Sequence, residues 1–393
     1  MYGIRGNTHK LITSYLTGRF QYTSALGENS SKLPILFGVP QGSCLGPLLF
    51  LIYINDICNS SKLADFVLFA DDTNIFVTAK TKNAAYEAAN NVLKTVHHYM
   101  RANKLHINTK KTWHMYFNPH SKPSLTVEQP CTLTLNGTVI ELVEEARFLG
   151  VTIDSKLTWI PHIKQLTKKL RCHIGSINRI KDNIPSHLHK ELYPTLFESH
   201  LTYGITVWGD GSFSKLQPMF NLQKKCLRIM FGDKEAYLEK FRTGARCRAF
   251  GSQILGAEFF SRENSKPLFN DHSILTLYNL YNYHTIVEVF KILKYRTPYS
   301  LYSSFTLSNR KETLLITPSS AHGFIHRSSA LWNLIRQKIK LFDFSLVKIG
   351  TLKNTCKKLI TNFQKLGDEM VWNDNEIDAK NALKFNCKPD YSY

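Results

Sequence analysis

An α+β fold, with an antiparallel sheet packed by helices on one side and mainly helical regions after it, is what the pattern of this 393-residue chain predicts. Three observations carry that expectation. Two β-prone runs, Phe66–Ala70 and Thr73–Val77, stand only two residues apart and read as a hairpin around Asp71-Asp72. From Ala84 to Arg101 the apolar residues Ala85, Ala88, Ala89, Val92, Val96, Tyr99 and Met100 mark one helical face. Beyond Trp159, the residues Ile160, Ile163, Leu166, Leu170, Ile174 and Ile177 recur at spacings of three and four, which predicts a long amphipathic helix.

The remaining elements follow in order. Residues 44–55 read as a helix buried all round, with Ser43 as N-cap and Pro47 in the first turn. Strand-like stretches at Thr112–Phe117, Cys131–Leu135 and Arg147–Ile153 are separated by a loop near Asn118-Pro119-His120 and a turn at Asn136-Gly137. Helical stretches are expected from Ser186 towards Tyr203 and from Lys215 to Phe231. Residues 233–393 read as mainly helical, with a polar, strand-poor loop near Thr297–Ser320.

Composition narrows the class. Fifty Lys and Arg against thirty Asp and Glu give a formal charge of +20, beyond the about 2–8 that solubility asks of a small domain. A polyanionic partner, nucleic acid first, follows from that excess. Hydrophobic residues at 43% and aromatics at 12% support a substantial core. The eight cysteines are scattered without C-x₂-C spacing, which speaks against a zinc site and for reduced thiols. The N-terminus has no basic region followed by an apolar stretch, so an intracellular protein of nucleus or cytoplasm is expected. Leu33–Asn55 lacks charge but is broken by Pro40, Gly42, Gly46 and Pro47, and falls short of the ~20 apolar residues of a membrane helix.

The chemistry-bearing feature is Phe69-Ala70-Asp71-Asp72. Adjacent carboxylates at a tight turn repel unless a cation neutralises them, and carboxylate oxygens are the ligands that Mg²⁺ takes. Alone the pair is a weak signal, because Asp is common in solvated turns. About thirty residues upstream, Phe37-Gly38-Val39-Pro40-Gln41-Gly42-Ser43 supplies glycines that let backbone approach a flat ligand.

Together these stretches resemble the reverse transcriptases of non-LTR (LINE-type, Jockey-like) retrotransposons. Gly38–Ser43 with Gly46-Pro47-Leu48-Leu49-Phe50 and Asn55-Asp56-Ile57 is similar to their motif B, and Phe69–Thr73 to motif C. Asn103–Asn108 with Lys110-Lys111-Thr112 resembles motif D. Phe148-Leu149-Gly150-Val151 with Asp154, Leu157-Thr158-Trp159 and His162 resembles motif E and the start of the thumb. Ala330-Leu331-Trp332-Asn333, with Leu352-Lys353 and Leu359, is similar to the C-terminal region of such polyproteins.

The resemblance implies a partial right-hand palm over residues 1–155, a helical thumb over 156–232 and a helical C-terminal region over 233–393. It implies Asp71 and Asp72 as ligands of two Mg²⁺ ions, with Mn²⁺ an alternative, and RNA template, DNA primer and deoxynucleoside triphosphates as partners, with no membrane. Pro40, Gln41, Gly42, Ser43, Phe69 and Ala70 would then line template and nucleotide, and Phe148, Leu149 and Gly150 the primer grip, although for Leu149 an ordinary core-strand residue is the somewhat stronger reading. A motif D lysine would protonate the leaving pyrophosphate. Lys111 fits that role, Lys104 and Lys110 are equally close in sequence, and a solvated strand-end lysine is the plain alternative.

Lys164, Lys168, Lys169 and Arg171 would follow phosphates, with Lys181 on the same helix's exposed side. Lys224, Lys225, Arg228, Arg242, Arg246 and Arg248 form a second basic group that reads equally as a solvated face. The family's first metal-binding Asp lies in a motif A phrase upstream of motif B. Residues 1–55 contain no Asp, and Glu28, in the polar turn Gly27–Ser30, is their one acid. An N-terminally truncated polymerase, inactive alone, is therefore the expectation, with a non-catalytic nucleic-acid-binding remnant as its rival. Asp56 and Asp65 are not expected to substitute.

Overall fold

The fold was read from a computed structural model, which describes residues 3–117, 131–209, 213–232, 265–308, 311–315, 324–339 and 348–366. It mixes helices with small sheets and divides into two compact units, Met1–Glu144 and Glu145–Tyr393. The loop expected near Asn118 lies outside the described residues, as do Arg242, Arg246 and Arg248.

The first unit opens with α1 (Gly6–Leu16) and a ladder of short antiparallel pairs. In it, β1 (Phe20–Gln21) pairs β4 (Leu33–Pro34), and β2 (Ser24–Ala25) pairs β3 (Glu28–Asn29). The turn of this ladder is Leu26-Gly27, both at positive φ, so Glu28 begins a strand instead of sitting inside the expected polar turn. A two-residue loop with both residues left-handed matches the twist of the strands it joins, which is why Gly27 is suited to it.

Next comes α2 (Leu45–Ile54), with Pro47 in its first turn. Ser43 does cap it in function, since its Oγ accepts from the Gly46 amide at 3.1 Å and donates to the Pro40 carbonyl at 2.7 Å, although Cys44 holds the N-cap position. The expected all-round burial is corrected. Gly46 and Ile54 are buried, but Leu48, Leu51 and Tyr53 are about half exposed, because a helix apolar on every side needs cover on every side and this one is covered on one.

β5 (Asp65–Phe69) and β6 (Asp72–Phe76) form the expected hairpin. It sits on α3 (Lys82–Ala102), whose Thr81 cap accepts from the Ala84 amide at 3.2 Å. Val92 and Val96 of α3 join Ile54, Ile57, Phe66, Leu68 and Ile75 in one apolar cluster. Tyr86, outside the face read from the sequence, packs instead on Leu133, Leu135 and Ile140. Those residues belong to a three-stranded sheet in which β9 (Thr138–Leu142) lies between β7 (Trp113–His114), parallel to it, and β8 (Leu133–Leu135), antiparallel through the Asn136-Gly137 turn.

In the second unit, the stretch Arg147–Ile153 is a hairpin and not one strand. β10 (Glu145–Phe148) turns through Leu149-Gly150, at φ 45° and 85°, into β11 (Val151–Asp154). Leu at a left-handed position is uncommon, and this hid the turn. Here it is held from outside, because the Tyr203 hydroxyl donates to the Leu149 carbonyl at 2.6 Å and a Cβ on Gly150 would meet the Tyr203 ring at 3.0 Å.

Asp154 then organises the start of α4 (Ile160–Ile180). Its carboxylate accepts from the Thr158 amide and hydroxyl at 3.0 Å each and from the Trp159 amide at 2.9 Å. Burial alone would raise this carboxyl, but those hydrogen bonds outweigh it and hold the pKa below the ordinary 3.8. His162, buried against Trp208, accepts the Thr152 amide at 3.3 Å; burial, and then Arg147, lower its pKa, so it is a neutral packing group.

Ile163, Leu166, Leu170, Ile174 and Ile177 are buried as their spacing predicts, whereas Ile160 is exposed at the helix start. Lys181 is a correction: it is buried, with Nζ donating to the Ile229 carbonyl at 3.1 Å, because the end of the Phe213–Phe231 helix needs a donor for its last carbonyls. Gln223 of that helix is fully buried and satisfied, donating to the Tyr193 hydroxyl and the Leu275 carbonyl and accepting from the Leu277 amide. The last of these bonds caps the helix Leu277–Tyr295.

Within the region expected as a strand-poor loop, Tyr299–Ser304 is helical and Leu307–Ser308 pairs Lys311–Leu315. The reason lies in Asn333, whose side chain donates to the Leu315 carbonyl and accepts from the Leu315 amide, both at 2.8 Å, fixing that strand to the helix Phe324–Ile339. Leu331, Trp332 and Leu352 are buried, so the C-terminal stretch singled out in the sequence is a packing motif. Burial pushes the Cys356 thiol up to about 12 and that of Cys226 up as well, which keeps both inert at neutral pH.

Candidate active site

The hairpin places its carboxylates by register. Phe69 pairs Asp72, so the turn consists of Ala70 and Asp71, with Ala70 at φ 50°, and not of Asp71 and Asp72 as the sequence predicted. Asp71 therefore sits at the tip and Asp72 opens the second strand. Directly opposed residues share a face. Phe66 with Ile75 and Leu68 with Thr73 turn towards the core, while Val67, Phe69, Asp72, Asn74 and Phe76 lie on the other side. Phe69 is 58% exposed, and both aspartates are exposed. Asn74 reaches across this face, donating to the Val67 carbonyl at 3.2 Å.

Two exposed carboxylates one residue apart offer hard oxygen donors of the kind Mg²⁺ takes, and leave the remainder of an octahedral shell to water or substrate. Among the described residues, no group of three or more His, Cys, Asp or Glu gathers in a way that would hold a metal ion. Asp56 is engaged by the Tyr99 hydroxyl. Asp65 opposes Phe76 at the far end of the hairpin, roughly 13 Å of strand from Phe69.

Pro40, Gln41, Gly42 and Ser43 share the turn that starts α2, with Gln41 and Gly42 exposed and Gly42 at φ 78°. Pro40 and Ser43 are partly buried in the cap, where the Tyr15 hydroxyl also donates to Ser43. A Cβ on Gly46 would stand 2.8 Å from Ser43 Oγ and 3.1 Å from the Pro40 carbonyl, so this cap requires glycine. Arg19 clamps the loop from the other side, donating through Nη2 to the Gly38 carbonyl at 2.6 Å. Lys104, left-handed at the end of α3, sets its ammonium 4.9 Å from the centre of the Phe37 ring. Tyr15 and Arg19 were not read from the sequence, and Lys104 was read only as an alternative motif D lysine; no local pattern could have shown these contacts, since each acts across about twenty residues or more.

Lys110 and Lys111 lie in a turn built on Asn108, which accepts the Lys111 amide through its carbonyl and the Lys110 amide through its side chain. Both ammonium groups are on exposed residues. Phe148, Leu149 and Gly150 belong to the second unit, at the turn held by Tyr203. On α4, Lys164, Lys168, Lys169 and Arg171 are all exposed, and spacings of four and three put Lys164, Lys168 and Arg171 in one stripe. Lys224 is partly buried with its ammonium 4.6 Å from the Phe220 ring centre, so the second basic group is less free than its composition implied. No helix among the described residues is long and apolar enough to cross a membrane.

A two-stranded hairpin with an acidic tip, packed on helices and preceded in the chain by a glycine-rich turn, is the setting in which comparison with known proteins becomes informative. Residues 3–153 match the family described as reverse transcriptase (RNA-dependent DNA polymerase). By that match the segment is similar to a reverse transcriptase domain, over somewhat more than a third of the chain.

Curated proteins similar to it come from transposable elements. The chain is 26% identical over 232 residues to the RNA-directed DNA polymerase from mobile element jockey of Drosophila melanogaster, covering 56% of this chain and 25% of that protein. It is 26% identical over 230 residues to the probable RNA-directed DNA polymerase from transposon BS of the same species, with the same coverage. The retrovirus-related Pol polyprotein from type-1 retrotransposable element R1 of Bradysia coprophila is 27% identical over 210 residues, 52% of this chain and 20% of that one. The chain thus spans about a quarter of the length of the curated relatives it matches.

Proposed function

We propose that the chain carries part of a two-metal nucleotidyl-transfer centre for RNA-templated DNA synthesis, with Asp71 and Asp72 as its metal ligands. The observation that carries this reading is the register of the hairpin, which puts two adjacent carboxylates on an exposed tip inside the reverse transcriptase match. A bound Mg²⁺ pair would activate a primer 3′-hydroxyl and neutralise charge on the leaving pyrophosphate. In this reading Pro40, Gln41, Gly42, Ser43, Phe69 and Ala70 border the nascent pair, and Lys111 is the proton donor. Residues 1–155 are a partial palm, with the Phe148-Leu149-Gly150 turn at its end as primer grip. Residues 156–232 are a thumb whose Lys164, Lys168, Lys169 and Arg171 follow the backbone, and residues 233–393 are a further C-terminal region. Nucleus or cytoplasm is the place of action that such a reaction implies.

Residues 1–55 offer no Asp, and two carboxylates alone neither balance the charge of two divalent ions nor fix their geometry. The 393-residue chain by itself therefore fails to extend a primer on an RNA template with Mg²⁺. Fused behind a palm segment that supplies a third carboxylate, it extends the primer, and Asp71→Ala with Asp72→Ala abolishes extension. Equal product from the fusion with and without those substitutions contradicts the proposal. A second reading, a nucleic-acid binder without chemistry, rests on the missing third acid among the described residues. It is the one left standing if the fusion stays inert while the chain binds an RNA–DNA duplex with affinity that falls steeply with salt.

A further inference from the structure

The basic face of α4 stands without counter-charge. The helix carries Lys164, Lys168, Lys169, Arg171 and Arg179 and no Asp or Glu. Lys164, Lys168, Lys169 and Arg171 are exposed, and none of them enters an ion pair or hydrogen bond among the described residues, where Lys291 and Glu288 form the one ion pair, at 2.9 Å. The excess is felt on the neighbouring helix Ser199–Thr202: burial, and then the positive charges of Lys169 and His173, lower the pKa of His200, whose ring stacks on His173 at 4.4 Å. A counterpart of opposite sign is present in the sequence. Residues 368–378 hold Asp368, Glu369, Asp374, Glu376 and Asp378 and no Lys, Arg or His, in a chain of net charge +20. A block of one sign is characteristic of an interaction segment, and this one follows the helix Ile349–Leu366 directly.

We infer that residues 368–378 dock on the exposed stripe of α4, their carboxylates against Lys164, Lys168 and Arg171. The bases nearest to the segment in sequence are less suited. Lys357 already faces Glu198, whose carboxyl is raised by burial and pulled back by that ammonium. Asp368 and Glu369 come just past the C-terminus of the helix Ile349–Leu366, where the helix dipole repels a carboxylate. The same contact sets the reach, because Glu198 stands two residues before His200, which stacks on His173 of α4. From Lys357 the helix runs about 14 Å further to Leu366, and the chain from Leu366 to Asp374 spans up to about 29 Å, which brings the acids within range of α4. Docking neutralises the stripe and closes it to any other polyanion. The contact does not rest on the polymerase reading; only its competition with a nucleic-acid backbone rests on the role proposed for the stripe.

The test is zero-length carbodiimide coupling of the full chain, which joins a carboxylate to an ammonium in contact with it, followed by peptide mass spectrometry. Amide links from Lys164, Lys168 or Lys169 to acids of residues 368–378 are expected, formed within one molecule, so that an equal mixture of unlabelled and ¹⁵N-labelled chain gives no mixed product. Their yield should fall severalfold in about 1 M salt, where the screening length is about 3 Å. Lys168→Gln with Arg171→Gln should lower the Lys164 link at least about fivefold, since one exposed ammonium alone attracts weakly. Links confined to Lys357, Lys358 or Lys365, links only between molecules, or a Lys164 yield untouched by those substitutions would each overturn the proposal. The consequence is read separately, by duplex binding. Asp368→Asn, Glu369→Gln, Asp374→Asn, Glu376→Gln and Asp378→Asn together should tighten binding of an RNA–DNA duplex at least about threefold. Intramolecular links to α4 with unchanged duplex affinity would uphold the contact and remove the backbone role of the stripe.

Discussion

At the level of single residues, three backbone and capping contacts hold the features on which the functional reading depends. Ala70 takes a left-handed conformation at the hairpin tip, which a small side chain tolerates and a β-branched one does not. Ala70→Val is expected to cost about 1–2 kcal/mol, read by urea denaturation. Gly46 is held between Ser43 Oγ and the Pro40 carbonyl, so Gly46→Ala must displace the cap of α2, and its loss is expected to cost about 1 kcal/mol in the same measurement.

Asp154 is the third such contact. Its carboxyl is depressed in the folded state, so its contribution is complete above the ordinary pKa of 3.8 and disappears as pH falls through the lower folded value. Asp154→Ala should therefore cost about 1–2 kcal/mol at pH 7, and the difference from the unsubstituted chain should shrink below pH 3.8. A difference independent of pH would mean that the carboxylate is not what the Thr158 and Trp159 amides need.

Among elements, those with strong periodicity were legible in the sequence. The α4 face from Ile163 to Ile177, the α3 face through Val92 and Val96, and the β5–β6 pairing all follow spacing, because one buried face per element is a local property of the chain. The misreadings fall where a residue departs from its usual conformation or where distant partners decide. Leu149 turns a stretch that alternates like a strand, Leu26 turns the first ladder, and Lys181 is buried by a carbonyl 48 residues away. The turn expected at Asp71-Asp72 was one residue off, since register is set by the whole hairpin. The stripe on α4 carries a further test of the proposed backbone role. Lys164→Gln, Lys168→Gln and Arg171→Gln together should weaken RNA–DNA duplex binding and reduce the slope of log affinity against log salt by about 2–3. An unchanged slope would return the stripe to a solvated helix face.

For the whole molecule, a net charge of +20 and a reverse transcriptase match over residues 3–153 both support the proposed nucleic-acid partner, and neither tests the chemistry. The described residues of the second unit are mostly helical, and Leu331, Trp332 and Asn333 pack the stretch that the sequence had marked into their core. What separates a polymerase centre from an inherited fold is whether the tip of β5 and β6 takes a divalent cation. Paramagnetic titration of the 393-residue chain with Mn²⁺, followed by electron paramagnetic resonance and repeated with Asp71→Ala and Asp72→Ala, tests this directly. A weak site displaced by Mg²⁺ and lost in the doubly substituted chain is the expected result; Mn²⁺ binding that is identical in both chains, or absent from the unsubstituted one, would contradict it.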